Sequence, residues 1–388
     1  MEQTVLCLVN LIKHRLRPDL DHDVLPVSME QEEIQKLMDV AQMHDITTIV
    51  GSELIDQKLI SSDELFKNIQ KNVCKEAVRC EMLCVEQDRL HQLLEAAQIP
   101  FVPLKGADVR QYYPEPWLRT SCDIDILVHK DDLNKAMAVL LENGCTMYGE
   151  KNYHDVSLVT PGKKLLELHF CLREDISVLD CVLDRAWQYT KNAPGKQYEH
   201  RLQNGFLLFY LIAHMAFHCR FGGSGIRSFV DIWLLGKKLE YDRDELRQLC
   251  RQAQLEKFYD NVQHLVAVWF DGKEHTAVTK WLEQVVVSGG TFGNADARIM
   301  LDQAQTGSKQ KRLIKRIFMP YEGLKTQYPI LEKKRWLMPF FQVVRWLRIF
   351  TGGRLRRAIG EYKISSAHSD MQIKETKLFL EQVGLDFI

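Results

Sequence analysis

The sequence predicts an α+β protein, a small mixed β-sheet flanked by N-terminal and C-terminal helical regions. Apolar residues recur with helical period up to about residue 98 and again from about residue 204, whereas short apolar runs punctuated by Pro and Gly lie between. One of those runs, Asp123-Ile-Asp-Ile-Leu-Val128, alternates acidic and apolar side chains with the period of a strand. A chain of 388 residues, 46% hydrophobic and 27% charged, is long enough for two or three units with cores of their own and is not the composition of a disordered protein. The expected units are a helical region at 1–98, an α/β core at 99–200 and a helical domain at 201–388.

In the first region, Ser28 with Gln31 and Ser61 with Glu64 have capping-box spacing, in which a Ser side chain and a later polar side chain satisfy free amides at a helix start. After Ser61 the stripe Phe66, Ile69, Val73, Ala77, Cys80, Cys84, Leu90 and Leu94 predicts a long helix packed on a core.

The middle region opens with a strand at 99–104 and a helix at 105–113, joined at Lys105-Gly106. A Gly there lets backbone approach a phosphate, the first amides attract anions, and Lys105 adds a point charge. The strand 123–129 follows, then a helix at 131–143 closed by Gly144, then strands at 153–159 and 165–170 around the turn Pro161-Gly162-Lys163-Lys164. On the last strand Glu167 and His169 share one face, and a carboxylate among apolar neighbours needs a partner. Helices are then predicted at 206–219, 226–238, 242–253 and 257–270.

The chemistry centres on Asp123 and Asp125. Two residues apart on a strand, they point the same way, and two like charges so close are costly unless a cation sits between them. Oxygen ligands on a rigid strand suit Mg²⁺, which takes one or two carboxylates and completes its shell from phosphates and water. Arg119, four residues earlier, would clamp a phosphate oxygen or neutralise the aspartates. His169 would touch a nucleotide or its acceptor, unless it is a hydrogen-bonded structural histidine.

Gly106, the Asp-hydrophobic-Asp pair and the later Glu167-Leu-His169 together resemble the polymerase-β-like nucleotidyltransferase superfamily. Within it, the wording Leu104-Lys-Gly, Arg119-x-x-x-Asp-Ile-Asp-Ile-Leu-Val and Glu167-Leu-His is similar to the branch labelled uncharacterised nucleotidyltransferase, over about residues 99–235. Lys105-Gly106 stands where the superfamily usually has Gly-Ser or Gly-Gly, and the gap to Asp123 is longer than in most members. The resemblance implies that 99–200 is a nucleotidyltransferase core, that Mg²⁺ (or Mn²⁺) is held by Asp123, Asp125 and Glu167, and that Glu167 accepts the proton of the attacking hydroxyl. An NTP such as ATP would meet Lys105, Gly106, Arg119 and His169, and its nucleoside monophosphate would pass to an acceptor that is a small molecule, a protein or RNA. His218, Arg227 and Asp231 match a later His…Arg…Asp pattern and would face the substrate or support the site.

Other readings stay open. His214 and His218, four apart on one helix, can chelate a metal with Asp231, the ligand set of a metal-dependent phosphohydrolase. A non-catalytic binding protein on the same fold would act through its basic surface. That surface is local: the formal net charge is -1, yet residues 309–357 hold fourteen Lys and Arg against Glu322 and Glu332. Interleaved Trp336, Phe340, Phe341, Trp346 and Phe350 fit nucleic acid, and Leu337, Phe341, Val344, Leu347 and Thr351 on one face fit a membrane surface or a helix docked on the protein. Ten scattered cysteines without a Cys-x-x-Cys pair, no signal-peptide pattern and no spanning segment point to a cytoplasmic protein.

Overall fold

The computed structural model describes residues 2–19, 29–149, 152–174, 176–220, 223–290, 318–328, 330–351 and 370–387. Four helices open the chain: α1 (Glu2–Leu16), α2 (Gln31–Met43), α3 (Thr47–Asp56) and α4 (Asp63–Ala96). Their starts differ from the predicted caps. Glu30 and Glu33 form the capping box of α2, while Ser28 lies outside the described residues. Ser62, not Ser61, caps α4, its hydroxyl accepting from the Leu65 amide at 3.3 Å. In both cases the helix begins later than the Ser spacing implies, because any side-chain oxygen at the first turn can serve the free amides.

The middle of the chain builds a five-stranded mixed sheet, and this part fulfils the predicted α+β architecture. Its strands are β1 (Phe101–Pro103), β2 (Asp123–Val128), β3 (Thr146–Met147), β4 (Asp155–Val159) and β5 (Leu165–His169), in the order β1-β2-β5-β4-β3. Only the β2–β5 pair is parallel; it sets Asp125 opposite Glu167 and Leu127 opposite His169. The helix expected at 105–113 is a single turn, α5 (Gly106–Val109), continued by a 3-10 turn at Arg110–Tyr112. Between the strands, α6 (Leu133–Glu142) packs its apolar side on the sheet. After β5 come α7 (Ser177–Leu183) and a small hairpin, β6 (Thr190–Asn192) with β7 (His200–Leu202), which three-residue strands of mixed polarity gave no means to foresee.

The helices expected beyond residue 204 are present as α8 (Asn204–Arg220), α9 (Ile226–Lys238), α10 (Arg243–Gln252) and α11 (Glu256–Asp271), followed by α12 (Ala277–Gly289). Among the described residues no helix is long and apolar enough to cross a membrane.

Two apolar clusters organise these elements. Leu83, Leu90 and Leu94 of α4 join Ile124 and Ile126 of β2, Leu166 and Leu168 of β5 and Leu140 of α6 beneath the sheet. The earlier part of α4 (Leu65, Ile69, Val73) belongs instead to a larger cluster with α1–α3 and α8–α12. The 34-residue α4 thus ties both together, and the side chains that alternate away from the apolar face of β2 and β5 open towards α8.

Candidate active site

Alternation on β2 sends Ile124 and Ile126 into the core and Asp123 and Asp125 to the opposite face. The parallel register then brings Glu167 and His169 of β5 beside Asp125. Asp125 is buried; its Oδ1 accepts from Lys105 Nζ at 3.2 Å and from His169 Nε2 at 3.0 Å. His169 Nε2 also lies 3.5 Å from Glu167 Oε2. Burial alone would raise the Asp125 pKa, but the Lys105 charge and the His169 hydrogen bond hold it well below the usual carboxylate range. Asp123 has no such partner: burial, with the Asp125 charge, pushes it up to about 6, against the pull of Lys105.

Lys105 reaches this point from the β1–α5 turn. The Leu104 amide donates to the Asp125 carbonyl at 3.0 Å, which fixes the turn against β2, and Lys105 adopts φ +44°, a conformation costly for a residue with a side chain. Gly106 is held by packing: a Cβ there would meet Cβ and Oγ of Ser121 at 2.9 Å. Ser121 in turn accepts from Arg110 Nη2 at 2.6 Å, and Arg110 Nε donates to the Gly106 carbonyl at 2.8 Å. Close packing against Ser121 is thus one reason for a glycine at this position.

Among the described residues, Asp125, Glu167 and His169 form the one group able to hold a metal ion, each offering a ligand atom within 4.8 Å of the others. Two oxygens and one imidazole nitrogen on rigid strands fit a divalent cation, and such a charge would relieve the crowding that pushes Asp123 upward. His169, expected at the nucleotide, thus lies in the ligand group.

The remaining expected residues lie elsewhere. Arg119 does not extend towards a phosphate: its guanidinium grips Asp231 on α9, Nε to Oδ1 at 2.8 Å and Nη2 to Oδ2 at 2.8 Å, and its Nη1 donates to the Thr120 carbonyl. Tyr113 Oη adds a third donor to Asp231 at 2.6 Å. Arg227 pairs with Asp45 and reaches the Thr120 carbonyl at 3.3 Å. His218 Nε2 meets His214 Nε2 at 2.9 Å, and His214 Nδ1 meets Glu174 Oε1 at 2.8 Å. Asp231 is not part of that chain, so the three-ligand His/Asp set of a phosphohydrolase is not assembled among the described residues.

Around the site the structure adds Tyr210 and His154, which the sequence does not single out, and places the expected His214 and His218 beside them. Tyr210, His214 and His218 follow at i, i+4 and i+8 on α8, and the charge of Lys105 acts on all three. Burial, with Lys105, lowers His214 well below its ordinary value; burial, with His214, pushes His218 down to about 3, so both rings are neutral. His154 stacks on His169 with ring centres 5.5 Å apart. The four-residue spacing on α8 is the signal that would find Tyr210, one turn before His214.

The fold is an α+β core that gathers Asp125, Glu167 and His169 on one face of a mixed sheet, a donor set that could hold a metal ion. The chain belongs to the family described as uncharacterised nucleotidyltransferase, which matches residues 30–271. It is therefore a transferase at that level, and membership implies an NTP as substrate. The matched span runs from α2 to α11 and so includes helices on both sides of the sheet. Neither curated proteins nor solved structures give a match to the chain.

Proposed function

We propose that the protein is a metal-dependent nucleotidyltransferase that moves a nucleoside monophosphate from an NTP to an acceptor hydroxyl, with residues 99–200 as the catalytic unit between the helical regions. The observation that carries this reading is the convergence of Asp125, Glu167 and His169, one ligand atom each within 4.8 Å, beside the Lys105 ammonium and two residues from Asp123. A divalent cation, Mg²⁺ or Mn²⁺, held by Asp125 and Glu167 with His169 or Asp123 would supply Lewis-acid charge to the transferring phosphoryl group. Lys105 offers a cation for the phosphate oxygens, and it stays protonated because burial is outweighed by Asp125 and the other carboxylates nearby. Glu167, half-buried, is the carboxylate open to an acceptor. The acceptor oxygen attacks the α-phosphorus, its proton passes to the Glu167 carboxylate, and the bond to the β-phosphate oxygen breaks to release pyrophosphate. Arg119, Asp231 and Arg227 serve this reading by holding the segment that leads into β2.

The test is to incubate the purified protein with each radiolabelled NTP, Mg²⁺ or Mn²⁺, and cell extract. Label appearing on an acceptor, with release of pyrophosphate, is the expected result and reports base and acceptor class together. Release of inorganic phosphate in place of pyrophosphate, without label transfer, would sink the reading.

A further inference from the structure

The basic, aromatic segment near the C-terminus contributes none of its described residues to the group Asp125, Glu167 and His169, and its described part has two unlike faces. Its main helix, Met338–Thr351, follows a 3-10 turn at Arg335–Leu337. One face packs against the preceding turns of the same segment: Gln342 is buried and donates to the Met319 carbonyl at 2.6 Å, Phe341 lies 4.6 Å from the Tyr328 ring, and Trp346 lies 5.5 Å from Phe318. Leu337 and Val344, expected on a face turned to a membrane or to the protein, are half-buried. Another stripe faces solvent. Trp336 is 76% exposed, Phe340 61%, Val343 48% and Leu347 58%; the last three succeed one another by three and four residues along one line of the helix, and Trp336 precedes them in the 3-10 turn. Exposed apolar side chains in such a continuous line call for a partner.

We propose that this stripe is a docking surface for an anionic lipid bilayer, into whose interface Trp336, Phe340, Val343 and Leu347 insert. Charge selects this occupant. Residues 318–351 carry six cations, Lys325, Lys333, Lys334, Arg335, Arg345 and Arg348, against Glu322 and Glu332. Lys333, Lys334 and Arg335 are exposed and lead directly into Trp336, while Arg348 is exposed beside Leu347. Cations beside an apolar stripe that ends in Trp match a surface of anionic headgroups over hydrocarbon, where an indole settles at the boundary. A second copy meeting this face with its own would set like charges against one another. A single-stranded nucleic acid would meet the cations and two rings, but Val343 and Leu347 offer no π-face on which a base stacks.

Co-sedimentation of the full chain with vesicles of phosphatidylcholine alone, or of phosphatidylcholine with phosphatidylglycerol, tests this, alongside binding to a single-stranded RNA oligonucleotide. The expected result is binding to the phosphatidylglycerol vesicles only, weakening as salt rises. Lys333→Gln with Lys334→Gln should lower it about twenty-five-fold, at about fivefold per cation. Trp336→Ser with Phe340→Ser should lower it at least about tenfold through lost apolar insertion. All four side chains are exposed, and matching thermal melts confirm that the variants fold. No sedimentation with anionic vesicles at low salt overturns the proposal. So does binding that the Trp336 and Phe340 changes leave intact, or RNA binding without vesicle binding.

Discussion

Arg119 and Asp231, 112 positions apart, form a buried two-pronged ion pair that fastens the approach to β2 onto α9. Asp231 also receives the Tyr113 hydroxyl, so one carboxylate gathers donors from two turns of the α/β core. Breaking such a pair by removing one partner leaves a buried charge without a counter-charge, at a cost of about 3–5 kcal/mol. Asp231→Asn should therefore lower unfolding stability by that order, and Tyr113→Phe by about 1 kcal/mol. Arg119→Lys, which keeps the charge but loses the fork, should be destabilising too. NTP affinity of the folded Arg119→Lys protein should match the wild type. Weakened NTP binding with unchanged stability would restore the phosphate-clamp role read from the sequence.

Gly106 gives a second test that separates packing from phosphate binding. Gly106→Ala places a Cβ 2.9 Å from both Cβ and Oγ of Ser121, an overpacking of about 1–3 kcal/mol. Ser121→Gly removes both clashing atoms. In a double-mutant cycle followed by urea unfolding, the two changes should couple favourably, with the double variant more stable than the sum of the single effects predicts. Additive effects would mean that Ser121 is not what requires a glycine here.

The sequence made legible what depends on local periodicity and missed what depends on which strands and helices meet. Same-face placement of Asp123 with Asp125, and of Glu167 with His169, follows from strand alternation alone and is what the structure contains. The approach of His169 to Asp125 required knowing that β2 and β5 are parallel neighbours in the register that sets Asp125 opposite Glu167. No local pattern encodes that. The sequence leaves Arg119 as a phosphate clamp or a neutraliser of the aspartates because its partner is 112 residues away, and the pattern predicts a helix over 105–113 because the 3-10 turn at Arg110 obeys nearly the same period. Of the basic segment, 309–317, 329 and 352–357 lie outside the described residues, and the packed face of the helix Met338–Thr351 is set by Tyr328, Phe318 and Met319 of the same segment, which periodicity cannot rank.

His44 supplies a pH dependence remote from the acidic site. It is buried between helices, its Nε2 donating to the Val287 carbonyl at 3.2 Å and its Nδ1 accepting from the Ile226 amide at 3.2 Å. Burial, only partly offset by the Val287 bond, holds its pKa down at about 4, below the ordinary 6.5. Between those values the unfolded chain takes up a proton that the folded protein refuses. The stabilising contribution is thus complete above pH 6.5 and falls away as the pH drops towards 4, by about 3 kcal/mol in all. His44→Gln keeps a donor for Val287 and removes the titration. Urea unfolding from pH 7 to pH 4 should show a shallower loss in the variant, and parallel curves would exclude His44 as the cause.

Asp123 carries the most discriminating prediction, because stability and activity should move in opposite directions. Burial and the Asp125 charge push its carboxyl up to about 6 from the ordinary 3.8, so at neutral pH the folded, metal-free protein holds it ionised at a cost. Asp123→Asn removes that repulsion. In chelator at pH 7 the variant should be more stable than the wild type by about 1–2 kcal/mol, after discounting for the part of the side chain that faces solvent. The gain should shrink as the pH falls below 6, where the wild-type carboxyl becomes protonated. Asp125→Asn should do the reverse and destabilise, since it strips Lys105 and His169 of their shared partner. Glu167→Gln, at a half-buried position, should change stability by about 0.5 kcal/mol or less while lowering kcat about 10²- to 10⁴-fold through loss of the proton acceptor. All three variants should lose nucleotide transfer, and excess chelator should abolish it in the wild type until Mg²⁺ or Mn²⁺ is returned. If Asp123→Asn lowers metal-free stability while transfer continues at the wild-type rate, the acidic cluster is a structural feature and the catalytic assignment of Asp123 is wrong.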